Sequence, residues 1–275
     1  MLDDELSEIA VRSELTSVWL GRPYLYVPEI GSTNDRLKTR AADPAYPAGT
    51  VLLADYQSAG RGRLERRWEA PPGTSLLFSA LFRPRWPARQ GTWLTMLAGL
   101  AVVEAIESAT GLRAGLKWPN DVVLPEEMGE AQEWRKVCGL LLEATLDPNG
   151  RMASAVLGVG LNVNIPADSL PDSVTPATSL LVAGGRPVSR RKLLVGLLER
   201  IERHYDAALD GRSPARAWAA RLITIGRPVE ATSVGSSAPL VGTAEGVDEW
   251  GQLLVRDDEG ILHTIAAGDV TLRGR

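Results

Sequence analysis

The chain is poor in the side chains that most often do chemistry. Its 275 residues include one cysteine, Cys138, and two histidines, His204 and His263, far apart in sequence. A single thiol excludes an internal disulfide and suits a reducing compartment. No HExxH, CxxC or comparable metal-ligand spacing occurs, so a zinc-type centre is not encoded. A serine triad would need one of the two histidines, and neither sits by a nucleophile elbow. The Walker phosphate loop is missing as well. Only four of the 30 cationic side chains are lysines, namely Lys38, Lys117, Lys136 and Lys192. Chemistry therefore falls to arginine, lysine, asparagine and backbone groups, which suit charge stabilisation better than imidazole proton shuttling.

Excess positive charge is also missing. Thirty cations against 34 anions leave a formal charge of -4, which disfavours bulk nucleic-acid affinity as the main task. The longest apolar run, residues 93–106, is interrupted by Glu104 and is too short to span a bilayer, so it reads as a buried helix. The first ten residues are acidic and lack the basic-then-apolar order of a secretion signal. These features point to a cytoplasmic protein without a membrane partner. With 44% hydrophobic and 23% charged residues, the composition is that of an ordinary globular chain able to bury its own core.

Hydrophobic periodicity predicts helices over residues 3–20, 33–42, 90–110, 189–209 and 214–222. It predicts strands over 24–27, 50–56, 75–82, 114–118, 121–124, 137–146 and 153–163, with 125–135 a polar, acidic connection. After Gly226 the pattern changes to short strands at 229–232, 240–247, 252–256 and 262–265, punctuated by glycines. That spacing reads as a small all-β barrel. The expected organisation is α+β: residues 1–226 form a mixed or antiparallel sheet with helices packed on it, and 227–275 a small barrel.

Five segments carry candidate chemistry. In Gln57-Ser-Ala-Gly60-Arg61-Gly62-Arg63-Leu64-Glu65-Arg66-Arg67-Trp68, the glycines allow close backbone approach and the guanidinium forks match phosphate or carboxylate. Trp68 adds a flat face for a purine. A solvated loop is the plain alternative. Lys117-Trp-Pro-Asn120-Asp121 sets an amine, an amide and a carboxylate around an irregular backbone, suited to phosphate or Mg²⁺, or to a mere salt-bridged turn. Gly31-Ser32-Thr33-Asn34 begins a helix and offers hydroxyl and amide groups to a neutral polar ligand, or ordinary capping. Lys136-Val-Cys138-Gly139-Leu-Leu-Leu-Glu143 starts an apolar strand with an amine. Gly158-Val-Gly160-Leu-Asn162 is half a dinucleotide fingerprint; it lacks the third glycine and a following helix, and that reading is rejected. Cys138, among apolar neighbours, reads as packing.

In this order, the five segments resemble those of biotin–protein ligases, across residues 24–272. The resemblance implies a class II synthetase-like catalytic domain with an SH3-like C-terminal domain. It implies biotin and ATP as substrates, Mg²⁺, a biotinyl-5′-adenylate, and transfer to a lysine of a biotin carboxyl carrier domain of a biotin-dependent carboxylase. By resemblance, Ser32, Thr33, Asn34 and Gln57 line the biotin head; Arg61, Gly62 and Arg63 belong to the loop closing over biotin and adenylate. Lys136 lies near the carboxylate and α-phosphate, with Gly139 beside the ligand. Arg66 and Trp68 face the nucleotide, Lys117 and Asn120 face phosphate and metal, and Asn162 lies on the nucleotide side. Asp121 orients the incoming amine or a cation. Lys136, Arg61, Arg63 and Asp121 are the catalytic set. Monomers and homodimers both occur in the family.

Two departures stand out. Leu64 and Glu65 occupy positions where the family loop often has a basic residue and a glycine, which stiffens the loop and lowers its positive charge. The acidic connection before Lys136 is long for a hairpin; it is a tolerated insertion, or its Glu126, Glu127, Glu130 or Trp134 touches the carrier. Only about 30 residues precede the Gly31-Ser32-Thr33-Asn34 segment, too few for a three-helix DNA reader, so neither repression nor DNA binding is expected. Three rivals stand beside this reading. They are a lipoate or octanoate enzyme, a biotin sensor without turnover, and a nucleic-acid reader using the barrel. Polar head-group residues oppose the first, the phosphate-facing cations the second, and a barrel whose only aromatic is Trp250 the third.

Overall fold

The computed structural model describes residues 4–128, 131–172, 175–233 and 239–272. Its main sheet contains β1 (Tyr24–Ile30), β2 (Val51–Gln57), β3 (Ser75–Phe82), β4 (Gly115–Lys117), β5 (Asp121–Met128), β6 (Ala131–Leu146) and β7 (Met152–Asn162). The spatial order is β1-β2-β3-β7-β6-β5-β4. Strands β1 and β2 pair in parallel and all other neighbours antiparallel, so the sheet is mixed, as expected. Every residue of β3 is buried. Leu76, Phe78 and Phe82 face the main core, while Leu77 and Leu81 enter two smaller clusters on the opposite face.

Helices α3 (Thr92–Thr110) and α5 (Arg190–Leu209) pack together over the sheet. Gly111, at φ 75°, ends α3 in the left-handed conformation that glycine adopts without steric cost, and its N–H bonds the Glu107 carbonyl. Residues Ala88–Thr110 are apolar and long enough to cross a membrane, yet both the α3 apolar run and its Trp93 are buried in this core. Helix α2 (Thr33–Arg40) lies on the other face, with Ser32 as its N-cap.

Three predicted elements need correction. The helix expected over 3–20 is only α1 (Glu8–Glu14). Beyond it, Glu202 of α5 accepts hydrogen bonds from the backbone N–H groups of Val18, Trp19 and Leu20 at 2.7–2.8 Å. That tertiary capture satisfies donors that a continued helix would have used. The helix expected over 214–222 is only α6 (Ala215–Ala219), because the chain then runs alongside β4 with Leu222 bridged to Leu116. The acidic connection 125–135 is a β arm: β5 and β6 stay paired from Pro125↔Trp134 to Met128↔Ala131. Cross-strand pairing, including an Arg135–Glu126 ion pair, outweighs the polar composition. Glu130 and the side chain of Glu127 lie outside the described residues. A short α4 (Leu180–Gly184) was not expected.

The second sheet holds β8 (Pro228–Ser233), β9 (Leu240–Val247), β10 (Leu253–Arg256), β11 (Leu262–Ile265) and β12 (Gly268–Leu272), ordered β11-β10-β9-β8-β12 and wholly antiparallel. Strand β12 was not predicted. Val229, Ala244, Leu253 and Val255 join the same apolar cluster as the main domain. Trp93 stacks on Trp250 at 6.1 Å, and Trp118 Nε1 donates to the Gly251 carbonyl at 2.8 Å. The small sheet is thereby held against the main domain, and β12 reaches the arginine loop.

Candidate active site

The N-terminus of α2 builds a buried polar chamber. Ser32, Thr33 and Asn34 are all under 7% exposed, and Ser79 of β3 is fully buried. Gln57, at the end of β2, accepts the Thr33 N–H through Oε1 at 2.7 Å. Thr33 Oγ1 lies 2.7 Å from Ser79 Oγ, and Ser79 donates to Asn34 Oδ1 at 2.5 Å. Asn34 Nδ2 donates to Glu143 Oε2 at 3.2 Å. A methyl group on Gly158 would overlap Asn34 Oδ1, so the first glycine of the rejected fingerprint makes room for an amide on α2 rather than for a phosphate.

The arginine loop folds into a miniature hairpin. Gly62 N–H bonds the Arg66 carbonyl at 2.7 Å, Arg66 N–H the Arg63 carbonyl at 3.1 Å, and Trp68 N–H the Gly60 carbonyl at 3.0 Å. Its tip, Leu64 and Glu65, has φ of 52° and 60°. That is the type I′ pattern, which favours Asn-Gly; two consecutive left-handed side-chain residues cost about 1–2 kcal/mol each. The loop's cations point in two directions. Arg61 pairs with Asp35 and, at 2.9 Å, with Glu143. Arg63 donates to Asn120 Oδ1 at 3.2 Å and to the Gly268 carbonyl at 3.0 Å, and Arg66 pairs with Asp269. Burial lowers the pKa of the Arg63 guanidinium; neighbouring Asp269 and Asp121 offset part of that.

Trp68 closes the middle of the cleft. Gly139 and Gly160 face each other across β6 and β7, and a methyl on Gly139 would come within 2.7 Å of the indole. Gly139 thus supports Trp68 and Lys136 in this structure. Trp68 Nε1 and Asn162 Oδ1 are buried without a hydrogen-bond partner, and both residues line the cleft. Asn162 is held by its Nδ2 on the Thr178 carbonyl at 3.0 Å.

Lys136 reaches the cleft because of a β-bulge. The β5–β6 register pairs Val122 with Cys138 but Val123 with Lys136, leaving Val137 as the extra residue. Val137 and Cys138 are consecutive yet both buried in the main core. The bulge turns Lys136 onto the same face as Gly139, which strict alternation would forbid. Lys136 Nζ then lies 2.7 Å from Asp121 Oδ1 and 5.4 Å from the Trp68 ring centre. Cys138 is fully buried, and burial pushes its thiol far up, in keeping with a packing role. Lys117 hydrogen-bonds Thr175 Oγ1 at 3.3 Å; burial lowers its pKa, with Asp121 opposing and Lys136 adding to the shift.

These groups line one cleft of about 1280 Å³ between the sheet and β12. That exceeds what one drug-sized ligand needs and has room for two small substrates. All fifteen expected site residues line it: Ser32, Thr33, Asn34, Gln57, Arg61, Gly62, Arg63, Arg66, Trp68, Lys117, Asn120, Asp121, Lys136, Gly139 and Asn162. Sequence reasoning missed Asp35, Ser79, Glu143, Gly268 and Asp269. A lone acid ending the apolar run of β6 was the available sign of Glu143. Asp269 had none, because β12 itself was not foreseen.

Comparison with known proteins identifies the family. A model described as the biotin/lipoate A/B protein ligase family matches residues 26–162, and one described as the biotin protein ligase C terminal domain matches 224–273. The biotin–[acetyl-CoA-carboxylase] ligase of Mycobacterium tuberculosis is 34% identical over 272 residues, covering 96% of this chain and 95% of that protein. The bifunctional ligase/repressor BirA of Bacillus spizizenii is 33% identical over 266 residues, covering 96% of this chain and 78% of that protein. The structure of biotin protein ligase from Aquifex aeolicus in complex with biotin and ATP superposes with a TM-score of 0.70 at 30% identity, covering 90% of this chain and 97% of the other.

Proposed function

The chain belongs to the biotin protein ligase family, and from that membership we propose that it joins biotin and ATP into biotinyl-5′-adenylate and transfers biotin to a carrier lysine. The acceptor is a biotin carboxyl carrier domain of a biotin-dependent carboxylase. One observation carries the reading: a buried polar chamber and a cationic side meet in one cleft at Lys136.

In the first step, a biotin carboxylate oxygen attacks the α-phosphorus of ATP, and the bond to pyrophosphate breaks. Two anions must approach, so cations that offset repulsion and stabilise charge in the transition state lower the barrier. Lys136, Arg61 and Arg63 supply them. Ser32, Thr33, Asn34 and Gln57 hold the biotin head, Gly62 lets the loop approach, and Gly139 keeps the floor open. Arg66, Trp68, Lys117, Asn120 and Asn162 take the nucleotide. The unpaired Trp68 Nε1 and Asn162 Oδ1 suit a ligand that brings its own donors and acceptors. Holding both substrates in one cleft converts an encounter into a positioned reaction. In the second step, a neutral carrier amine attacks the acyl carbon, AMP leaves, and Asp121 receives the amine proton.

Asn120 and Asp121, consecutive in the chain and both lining the cleft, carry the amide and carboxylate oxygens that would hold a Mg²⁺ ion whose other ligands are phosphate and water, and the ion would neutralise phosphate charge. Asn120 Oδ1 now accepts from Arg63, so that guanidinium would yield to the ion. The reading includes reaction in the cytoplasm, without a membrane, and no operator binding by these 275 residues.

Biotin-dependent exchange of labelled pyrophosphate into ATP tests the proposal. Exchange is expected with biotin and not with lipoate, and Lys136→Ala is expected to reduce it by about a hundredfold or more. Biotin binding without exchange would move the reading to a sensor.

A further inference from the structure

The biotin-head chamber is joined to the arginine loop through a single carboxylate. Glu143 Oε1 accepts from Lys38 Nζ and from Arg61 Nη2, both at 2.9 Å, and Oε2 accepts from Asn34 Nδ2 at 3.2 Å. Burial alone would raise this carboxyl, but the three donors outweigh it and hold it below the usual range, so it is ionised at neutral pH.

An ionised carboxylate accepts and cannot donate. Its charge therefore orders every hydrogen beyond it. Asn34 must turn its NH₂ toward Glu143, and the Leu141 carbonyl at 3.4 Å favours the same side. Asn34 Oδ1 then receives the Ser79 hydroxyl hydrogen. With Ser79 committed, the hydrogen in the 2.7 Å Thr33–Ser79 contact must come from Thr33. Gln57 Oε1, at 3.1 Å, is a second and longer acceptor for that hydrogen; with the hydrogen on the shorter Ser79 contact, Thr33 Oγ1 keeps both lone pairs and is an acceptor toward the cleft. Gln57 Oε1 is occupied by the Thr33 N–H at 2.7 Å, which leaves the Gln57 NH₂ as a donor. Both residues line the cleft.

We propose that Glu143 is a specificity-determining positioning residue, whose charge sets, through Asn34 and Ser79, the acceptor at Thr33 that receives an N–H of the biotin ureido head. This rests on the function proposed above. Glu143 does not itself line the cleft; it contacts two residues that do, Asn34 and Arg61. A glutamine there would turn its oxygen to Lys38 and Arg61 and its NH₂ to Asn34. Asn34 would then flip and the Ser79 hydrogen would turn onto Thr33 Oγ1, taking one of its two lone pairs, while the Thr33 hydrogen would pass to Gln57 Oε1 at 3.1 Å. Thr33 would then be a poorer acceptor for a ureido N–H.

The experiment is biotin binding by calorimetry, with ATP KM as a second readout, on wild type, Glu143→Gln, Ser79→Ala and the double variant. Glu143→Gln is expected to weaken biotin about tenfold while ATP KM changes by less than about twofold. Ser79→Ala cuts the relay between Asn34 and Thr33, so in that background Glu143→Gln is expected to cost less than about threefold. Unchanged biotin affinity in folded Glu143→Gln, or the same loss in both backgrounds, overturns the proposal; the latter would assign the effect to Arg61. Should Glu143→Gln not fold, Ser79→Ala and Thr33→Val decide, because the relay requires their losses to be non-additive and additive losses refute it. Wild type failing to bind biotin would instead refute the underlying function, before any variant is read.

Discussion

At the residue scale, two features of the cleft give measurable consequences. Burial, reinforced by Lys136, lowers the pKa of Lys117, so its amine loses its proton at a lower pH than an ordinary lysine. A phosphate-facing role makes the protonated form the binding form. ATP KM should therefore rise on the alkaline side earlier than a surface lysine would allow, and Lys117→Arg should move that limb outward, since guanidinium stays charged. A pH profile of ATP KM for both proteins checks this. The glycines make a second prediction. Gly158→Ala would push on Asn34 and Gly160→Ala on the Trp68 indole. Overpacking costs about 1–3 kcal/mol, so each should raise one KM by about tenfold: biotin for the first, ATP for the second. Steady-state kinetics with each substrate varied would reveal a failure of that split. The identities of these residues were legible in sequence, but the reasons were not. Gly139 and Gly160 read as places for ligand approach or a fingerprint, and the structure uses both to seat Trp68.

At the element scale, cross-chain contacts decided what local pattern could not. Residues 15–20 carry a passable helical pattern, yet α1 stops at Glu14 because Glu202 gathers three backbone N–H groups from a site more than 180 residues away. Removing that acceptor leaves the buried Leu20 donor unpaired, at about 1–3 kcal/mol, while the partly buried Val18 and Trp19 donors can turn to water. Glu202→Ala should lower the urea midpoint by the equivalent of about 1–3 kcal/mol without changing ATP KM. The bulge at Val137 makes the same point for function. Alternation along β6 puts Lys136 and Gly139 on opposite faces, and only pairing with β5 brings them together. The acidic arm 125–135 was misread because composition reports solvent exposure, whereas strand pairing depends on the partner across the ladder.

At the scale of the whole molecule, the small sheet completes the cleft. Strand β12 brings Gly268 and Asp269 to Arg63 and Arg66, so two of the loop's cations are tied to the second domain. The net charge of -4 leaves the molecule without the overall excess of cations that holds a nucleic-acid polyanion. No salt-dependent retention on a DNA column is expected at physiological ionic strength, and strong retention eluted by salt would count against the absence of operator binding.

The sequence by itself determined the α+β order, the main-sheet strands apart from their ends, the barrel-like tail and the residue types around the cleft. Periodicity and turn chemistry are local, and the five motifs carry their side chains in fixed spacing. Only the tertiary structure decided where those side chains point. The bulge that aims Lys136, the carboxylate of Glu143 that orders the head chamber, and the clasp of β12 on the arginine loop all arise between segments distant in the chain. Pairing register and the direction of a hydrogen bond depend on the partner, and the partner is known only once the chain has folded.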